Sequence, residues 1–146
     1  MRTDVKRRGW TISAEGNDLA DRFLESVFFT GNGRMGARGY PAYRPIRRPL
    51  DAGLFLAGFY DRISDSTELT DFVNLPTPIW YQIRLNGRLP AIPSHLSRAL
   101  DLRTGLLTFR YRLSIADDWV DVQEQRFFSL AKPSFLFQRR EFQGRG

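Results

Sequence analysis

The sequence predicts an all-β domain, an antiparallel β-sandwich, on three observations. Glycines and prolines fall between short apolar runs, so the chain keeps turning before any long element can form. From Leu107 to Ile115, Leu107, Phe109, Tyr111, Leu113 and Ile115 alternate with Thr108, Arg110, Arg112 and Ser114, which is the period of a strand with one wet face. Asn86-Gly87 sits between alternating runs and is the preferred pair for a type I′ hairpin, where both central residues need positive φ. Beyond residue 30 no segment sustains a helical period.

Taken in order, "WTISAE" at 10–15 alternates and reads as a first strand. "NDLADRFLESVFF" is ambiguous: Asp18 could cap a short helical turn, while "SVFF" suits a strand better. "AGLFLAGFYDR" at 52–62 is apolar on both faces and reads as one buried strand. "PIWYQIRLNGRLPAI" reads as strand, turn, strand, with Trp80, Gln82 and Arg84 facing away from Ile79, Tyr81, Ile83 and Leu85. The stretch from Leu96 to Phe142 carries three or four consecutive strands, separated by turns at "RTG" and "ADD".

With 146 residues, 42% of them hydrophobic, the chain can bury one core and not comfortably two, so residues 1–146 are read as a single domain. No run approaches the ~18 apolar residues of a membrane-spanning helix, and no apolar segment follows the basic start "MRTDVKRRGW", so neither an anchor nor an export signal is expected. The absence of cysteine excludes disulfides and thiolate metal sites, and it fits a cytoplasmic protein. A net charge of +6 raises nucleic-acid binding, particularly of single strands through Arg and Phe. The charge comes from 20 Arg and 2 Lys scattered among sixteen carboxylates, with clusters only at 6–8, 47–48 and 139–140. A phosphate-tracking surface would concentrate them, so no nucleic-acid partner is expected.

Gly31, Gly33 and Gly36 match the spacing of a dinucleotide-binding loop, with Asp51 downstream as a ribose-binding acid. That loop needs a helix to open behind it, because the helix N-terminus holds the pyrophosphate. Gly39, Pro41, Pro45 and Pro49 forbid one here. The glycines are read as shaping backbone: a tight turn at Gly31-Asn32-Gly33, then close approach or a bulge at Gly36 and Gly39. No cofactor is expected.

Candidate chemistry is sparse. Inverting glycoside cleavage needs two carboxyl groups ~6.5–9.5 Å apart across the bond, and in a phosphorylase phosphate replaces one of them. Glu25, Glu68, Glu124 and Glu141 are available; Glu124 and Glu141 lie in strands near Arg and read as ion pairs on a wet sheet face. Asp117-Asp118 reads as a turn, and it has too few acidic neighbours for calcium. The lone His95 reads as solvent-facing, since no nucleophile motif accompanies it, and one His without Cys excludes zinc. Trp80 and Trp119 are candidate sugar-stacking platforms, while Tyr81 shares the inward face of Ile79 and Ile83.

"ESVFFTGNGRMGARGY", "LFLAGFYDR", "ELTDFVNLPTPIWYQIRLNG", "RALDLRTGLLTFRYR" and "EQRFFSLAKPSFLFQRREF" follow one another in an order that resembles glycoside hydrolase family 65, which contains maltose, trehalose and kojibiose phosphorylases and related hydrolases. The resemblance is to the family's N-terminal domain, a super-sandwich similar to galactose mutarotase, and runs from about Trp10 to the end. It implies phosphorolysis of α-linked glucosyl disaccharides in the complete enzyme, with the general-acid glutamate and phosphate-holding residues in a separate C-terminal (α/α)6 barrel. No catalytic residue of the family maps onto this chain. The expectation is therefore an incomplete sandwich, inactive alone, whose partners are the missing barrel, with disaccharide and phosphate, and a homodimer mate. "PSFLFQRREF" would then be an exposed edge strand that favours self-association. A free-standing carbohydrate-binding sandwich is the alternative.

Overall fold

The computed structural model describes residues 4–16, 22–43, 53–62, 70–91, 93 and 95–145. Its main layer is a six-stranded antiparallel sheet, ordered β1 (Val5–Arg8), β2 (Thr11–Gly16), β8 (Leu96–Asp101), β9 (Leu106–Ile115), β10 (Asp118–Phe128) and β11 (Leu136–Arg145). β3 (Thr30–Gly31), β4 (Met35–Ala37) and β5 (Leu54–Leu56) form a second, three-stranded sheet, and β6 (Tyr60–Arg62) pairs with β7 (Thr70–Phe72). One short helix, α1 (Arg22–Val27), completes the described elements. The all-β sandwich reading holds.

Register explains the core. Cross-strand neighbours align Val5, Ala14, Arg98, Phe109, Glu124 and Arg140 in one row across the main sheet. Flanking rows place Ile12, Leu100, Leu107 and Arg126 on one side and Leu96, Tyr111, Val122 and Phe142 on the other. Because side chains alternate along each strand, all these rows share one face. Leu24 and Phe28 from the α1 region, Tyr43, and the partly buried Tyr81, Ile83 and Leu85 cover that face. A second cluster joins Ala37 and Leu54 of the small sheet to Tyr40, Ile79 and Phe128. The alternation of Leu107–Ile115 is obeyed from Phe109 on: Leu107, Phe109, Tyr111 and Leu113 are buried and Arg110, Arg112 and Ser114 are exposed, but Thr108, expected on the wet face, is buried.

Three local expectations fail. "SVFF" is not a strand: Ser26 and Val27 close α1, and Phe28 N–H donates to Leu24 O at 2.9 Å. The helix places Leu24 and Phe28 together in the core while Phe23 faces solvent, so tertiary burial overrides the β preference of Val and Phe. "AGLFLAGFYDR" is two strands rather than one, because the chain turns at Gly58 with φ of 81° and leaves Phe59 and Tyr60 exposed. Around Asn86-Gly87 the type I′ turn forms, with φ of 47° and 76°. The flanks are not ladders; only Leu85 and Arg88 pair across the turn. Their inward–outward alternation survives because Tyr81, Ile83 and Leu85 pack on the main sheet. β1 carries no strand signal in its sequence, since "VKRR" has a single apolar residue.

The glycine segment folds as backbone geometry required. β3 and β4 pair antiparallel, Thr30 with Ala37 and Gly31 with Gly36, around a turn where Gly33 has φ of 84°. A Cβ on Gly39 would lie 2.3 Å from Phe28 Cβ and 2.5 Å from Phe28 O, so the returning chain touches the end of α1. Gly39 N–H donates to Glu25 O at 2.8 Å across the same contact. Asp51, Pro45 and Pro49 lie outside the described residues.

Gly39→Ala forces that contact apart. It should destabilise the domain by about 1–3 kcal/mol, as overpacking does, read as a lower urea midpoint. An unchanged midpoint would mean that the α1–Gly39 contact is loose.

Candidate functional site

Two regions concentrate polar side chains. The first lies inside the sandwich. Glu124 is 6% exposed, in the middle of the inward row, and not on the wet face where its Arg neighbours suggested it. Strand parity decides this: Glu124 shares the face of Val122 and Val120, which are buried. Its Oε1 accepts from Tyr81 Oη at 2.8 Å and also from Tyr111 Oη. Its Oε2 accepts from Ala42 N–H at 2.8 Å. The two tyrosine oxygens are themselves 2.7 Å apart. Tyr81 therefore points inward as expected, and does so with its hydroxyl committed to a carboxylate.

Arginines frame this carboxylate. Arg140, opposite Glu124 on β11, lays its guanidinium 4.0 Å from the Tyr81 ring centre and donates to Ile79 O at 3.0 Å. Arg126 is 3% exposed and donates to Arg38 O at 2.8 Å. Its remaining Nε and Nη1 have no hydrogen-bond partner among the described residues. They are offset by the faces of Phe109 at 5.1 Å and Tyr40 at 5.3 Å. Burial pulls the Arg126 pKa down to about 10, against the attraction of Glu124. Burial raises the Tyr81 and Tyr111 hydroxyls far above the ordinary tyrosine value, and the Glu124 charge reinforces it. Carboxylate, hydroxyls and the Ala42 N–H engage one another, so this cluster binds the layers of the protein to one another.

The second region is a groove of about 780 Å³ on the outer face of the main sheet, lined by His95, Ser97, Arg110, Arg112, Asp121 and Gln123 among others. Arg112 grips Asp121 through two bonds of 2.6 Å, and each holds the other in its charged form: the bond lowers the Asp121 pKa and raises that of Arg112. Arg110 donates to Gln123 at 2.7 Å, and Gln123 donates to Glu141 at 3.3 Å. Glu141 also pairs with Arg139 at 2.5 Å. Glu141 is thus an ion-paired surface residue, as read from sequence. Asp121 and Glu141 are each paired with an arginine, so neither carboxylate is left to demand a cation.

The remaining candidates disperse. His95 is exposed at the groove rim. Trp119 lies on the outer face with the Arg112 guanidinium 4.3 Å from its ring, whereas Trp80, 41% exposed, belongs to the segment covering the inner face. The structure does not bring the two tryptophans onto one surface. Asp117 lies in the β9–β10 turn; Asp118 opens β10 and accepts from Asn86 at 2.7 Å, tying two turns together. Glu25 is buried in α1, and Glu68 lies outside the described residues. Among the described residues no group of three or more His, Asp or Glu could hold a metal ion. No described helix is long and apolar enough to cross a membrane.

The glycosyl hydrolase family 65 N-terminal domain model matches residues 14–145. The chain belongs to this family. Trehalose 6-phosphate phosphorylase of Lactococcus lactis subsp. lactis (strain IL1403) is 27% identical over 123 residues, covering 77% of this chain and 16% of that protein. A solved structure from the human microbiome, assigned as a kojibiose phosphorylase, superposes with a TM-score of 0.77 at 16% identity, over 96% of this chain and 20% of that one. That likeness supports the fold. The family 65 domain here therefore spans about a sixth to a fifth of the relatives it matches.

Two measurements probe the interior cluster. Glu124→Ala strands two hydroxyls and the Ala42 N–H, and should cost about 3–5 kcal/mol in a denaturant titration, as breaking a buried charged network does; a cost under ~1 kcal/mol would mean water enters freely. Because the folded state holds Tyr81 and Tyr111 above the ordinary 10.0, the stability tied to them is complete below about pH 10 and falls as the unfolded chain ionises above it. Ultraviolet titration near pH 11 should therefore show fewer tyrosinates in the folded protein than in urea. Equal counts would contradict their burial.

Proposed function

We propose that this chain is the non-catalytic β-sandwich part of a family 65 glycoside phosphorylase or hydrolase acting on α-glucosyl disaccharides. The match across residues 14–145 carries this reading. The phosphorylase relatives supply the substrate class, and the chain corresponds to a small fraction of each. The carboxylates add support: Glu124 is sealed in the core, and Asp121 and Glu141 are engaged by Arg112 and Arg139. None of these three is left unengaged for the general-acid role that phosphorolysis or inverting cleavage demands.

On this reading the acid and the phosphate site belong to a barrel domain outside the 146 residues, and the sandwich supports that barrel. The setting is cytoplasmic, in keeping with a cysteine-free chain.

Incubating the purified chain with maltose, trehalose or kojibiose and inorganic phosphate should give no glucose phosphate. Fusion to the barrel of a family member should restore a soluble, active enzyme. Turnover by the isolated chain would overturn the reading, as would a fusion that folds but stays inert.

A further inference from the structure

The polar groove on the outer face of the main sheet carries a charge that its internal bonds leave over. Cross-strand register lays Ser97, Arg110, Gln123 and Glu141 in one row from β8 to β11. The next row sets Arg112 opposite Asp121, and His95, just before β8, lines the same end as Ser97. Strand spacing makes this floor about 14 Å long, and two residues of rise make it about 7 Å wide. β8 and β9 are each paired on both sides, so the end of the groove they build lies within the sheet.

The two ends differ in chemistry. On β10 and β11 each carboxylate has its own arginine, Asp121 with Arg112 and Glu141 with Arg139. Arg110 on β9 is exposed and forms no ion pair among the described residues. Its Nε donates to the neutral Gln123 Oε1 at 2.7 Å, and Gln123 is anchored in turn on Glu141. Those bonds fix the plane of the guanidinium and leave both Nη groups without a partner among the described residues, a fork of the kind that grips phosphate. Ser97, directly across from Arg110, and His95 add a hydroxyl and an imidazole N–H beside it. At the far end the carboxylates keep lone pairs that their arginines do not use, which suit the hydroxyls of a polyol. A bare anion would leave that end idle and face two carboxylates. A neutral sugar would leave Arg110 idle. The groove's 780 Å³ is ample for a small molecule that joins the two.

We propose that this groove binds a phosphorylated sugar, with the phosphate on Arg110, His95 and Ser97 and the hydroxyls on Gln123, Asp121 and Glu141. The site does not rest on the enzymatic reading, because every group in it belongs to this chain.

Glucose 6-phosphate is the probe, added to the full 146-residue chain at constant ionic strength while NMR follows the ring signals of His95, the one histidine. These should shift saturably, with half-saturation on the order of 1 mM. Inorganic phosphate and glucose should each require at least about tenfold more. Arg110→Gln should raise the half-saturation about tenfold or more, and Arg110→Lys, which keeps the charge without the fork, should fall between. Arg84→Gln removes the same charge from the segment that covers the inner face and should leave binding unchanged. Both arginines are exposed, and circular dichroism checks that each variant folds. No saturable shift, or one that survives Arg110→Gln, overturns the proposal. So does an equal loss with Arg84→Gln, which would reduce the effect to overall charge, or inorganic phosphate or glucose binding as tightly as the sugar phosphate.

Discussion

The buried carboxylate of Glu124 organises this domain. Glu124 sits under the centre of the main sheet, where leaving an ionised group without partners is prohibitive. Its partners come from three separate stretches: Tyr111 from the adjacent strand, Tyr81 from the segment that crosses beneath, and Ala42 N–H from the chain that follows the glycine hairpin. The covering layer has few strand ladders of its own to fix its position. Hydrophobic contact alone would let it slide, since burial is indifferent to small shifts. The carboxylate makes one alignment far better than its neighbours, so it specifies the packing more than it adds to net stability.

The aromatic and cationic groups around it follow from that placement. Arg140 can lie flat on Tyr81 because β11 sets it opposite Glu124. Arg126 accepts a buried position with two nitrogens lacking hydrogen-bond partners among the described residues, and rings on two sides replace part of its lost hydration. The small sheet then docks through Ala37 and Leu54 against Phe128, with glycines at Gly36 and Gly39 allowing the chains to touch. Of the glycines spaced like a nucleotide loop, Gly31 and Gly36 are thus explained by close packing and Gly33 by a turn at positive φ.

The main sheet was legible because strands with one wet face advertise themselves. Leu107–Ile115, the Gly105 turn and the Asn86-Gly87 turn all carry local signals that nothing in the tertiary structure opposes. The covering layer was less legible. α1 is only six residues long, too short to display a period, and its Val and Phe favour strands until burial of Leu24 and Phe28 decides otherwise. Glu124 was misplaced for a related reason: a glutamate flanked by Gln and Arg looks solvent-facing by composition. Strand parity with Val120 and Val122 was the available signal that it points inward. The partner tyrosine Tyr81 lies 43 residues away in sequence, beyond any local pattern.

The chain holds two Asn-Gly pairs, and the fold treats them in opposite ways. Asn32 spends its carboxamide on four bonds: Oδ1 accepts from Arg34 N–H and Met35 N–H, and Nδ2 donates to Ser129 O and Pro133 O. Its Cγ is therefore held away from attack by the following glycine nitrogen. Asn86 sits on an exposed tip with a side-chain bond to Asp118. Slow deamidation, the ordinary chemical ageing of such pairs, is directed to Asn86, and its product places one carboxylate against another where an amide had stapled two turns.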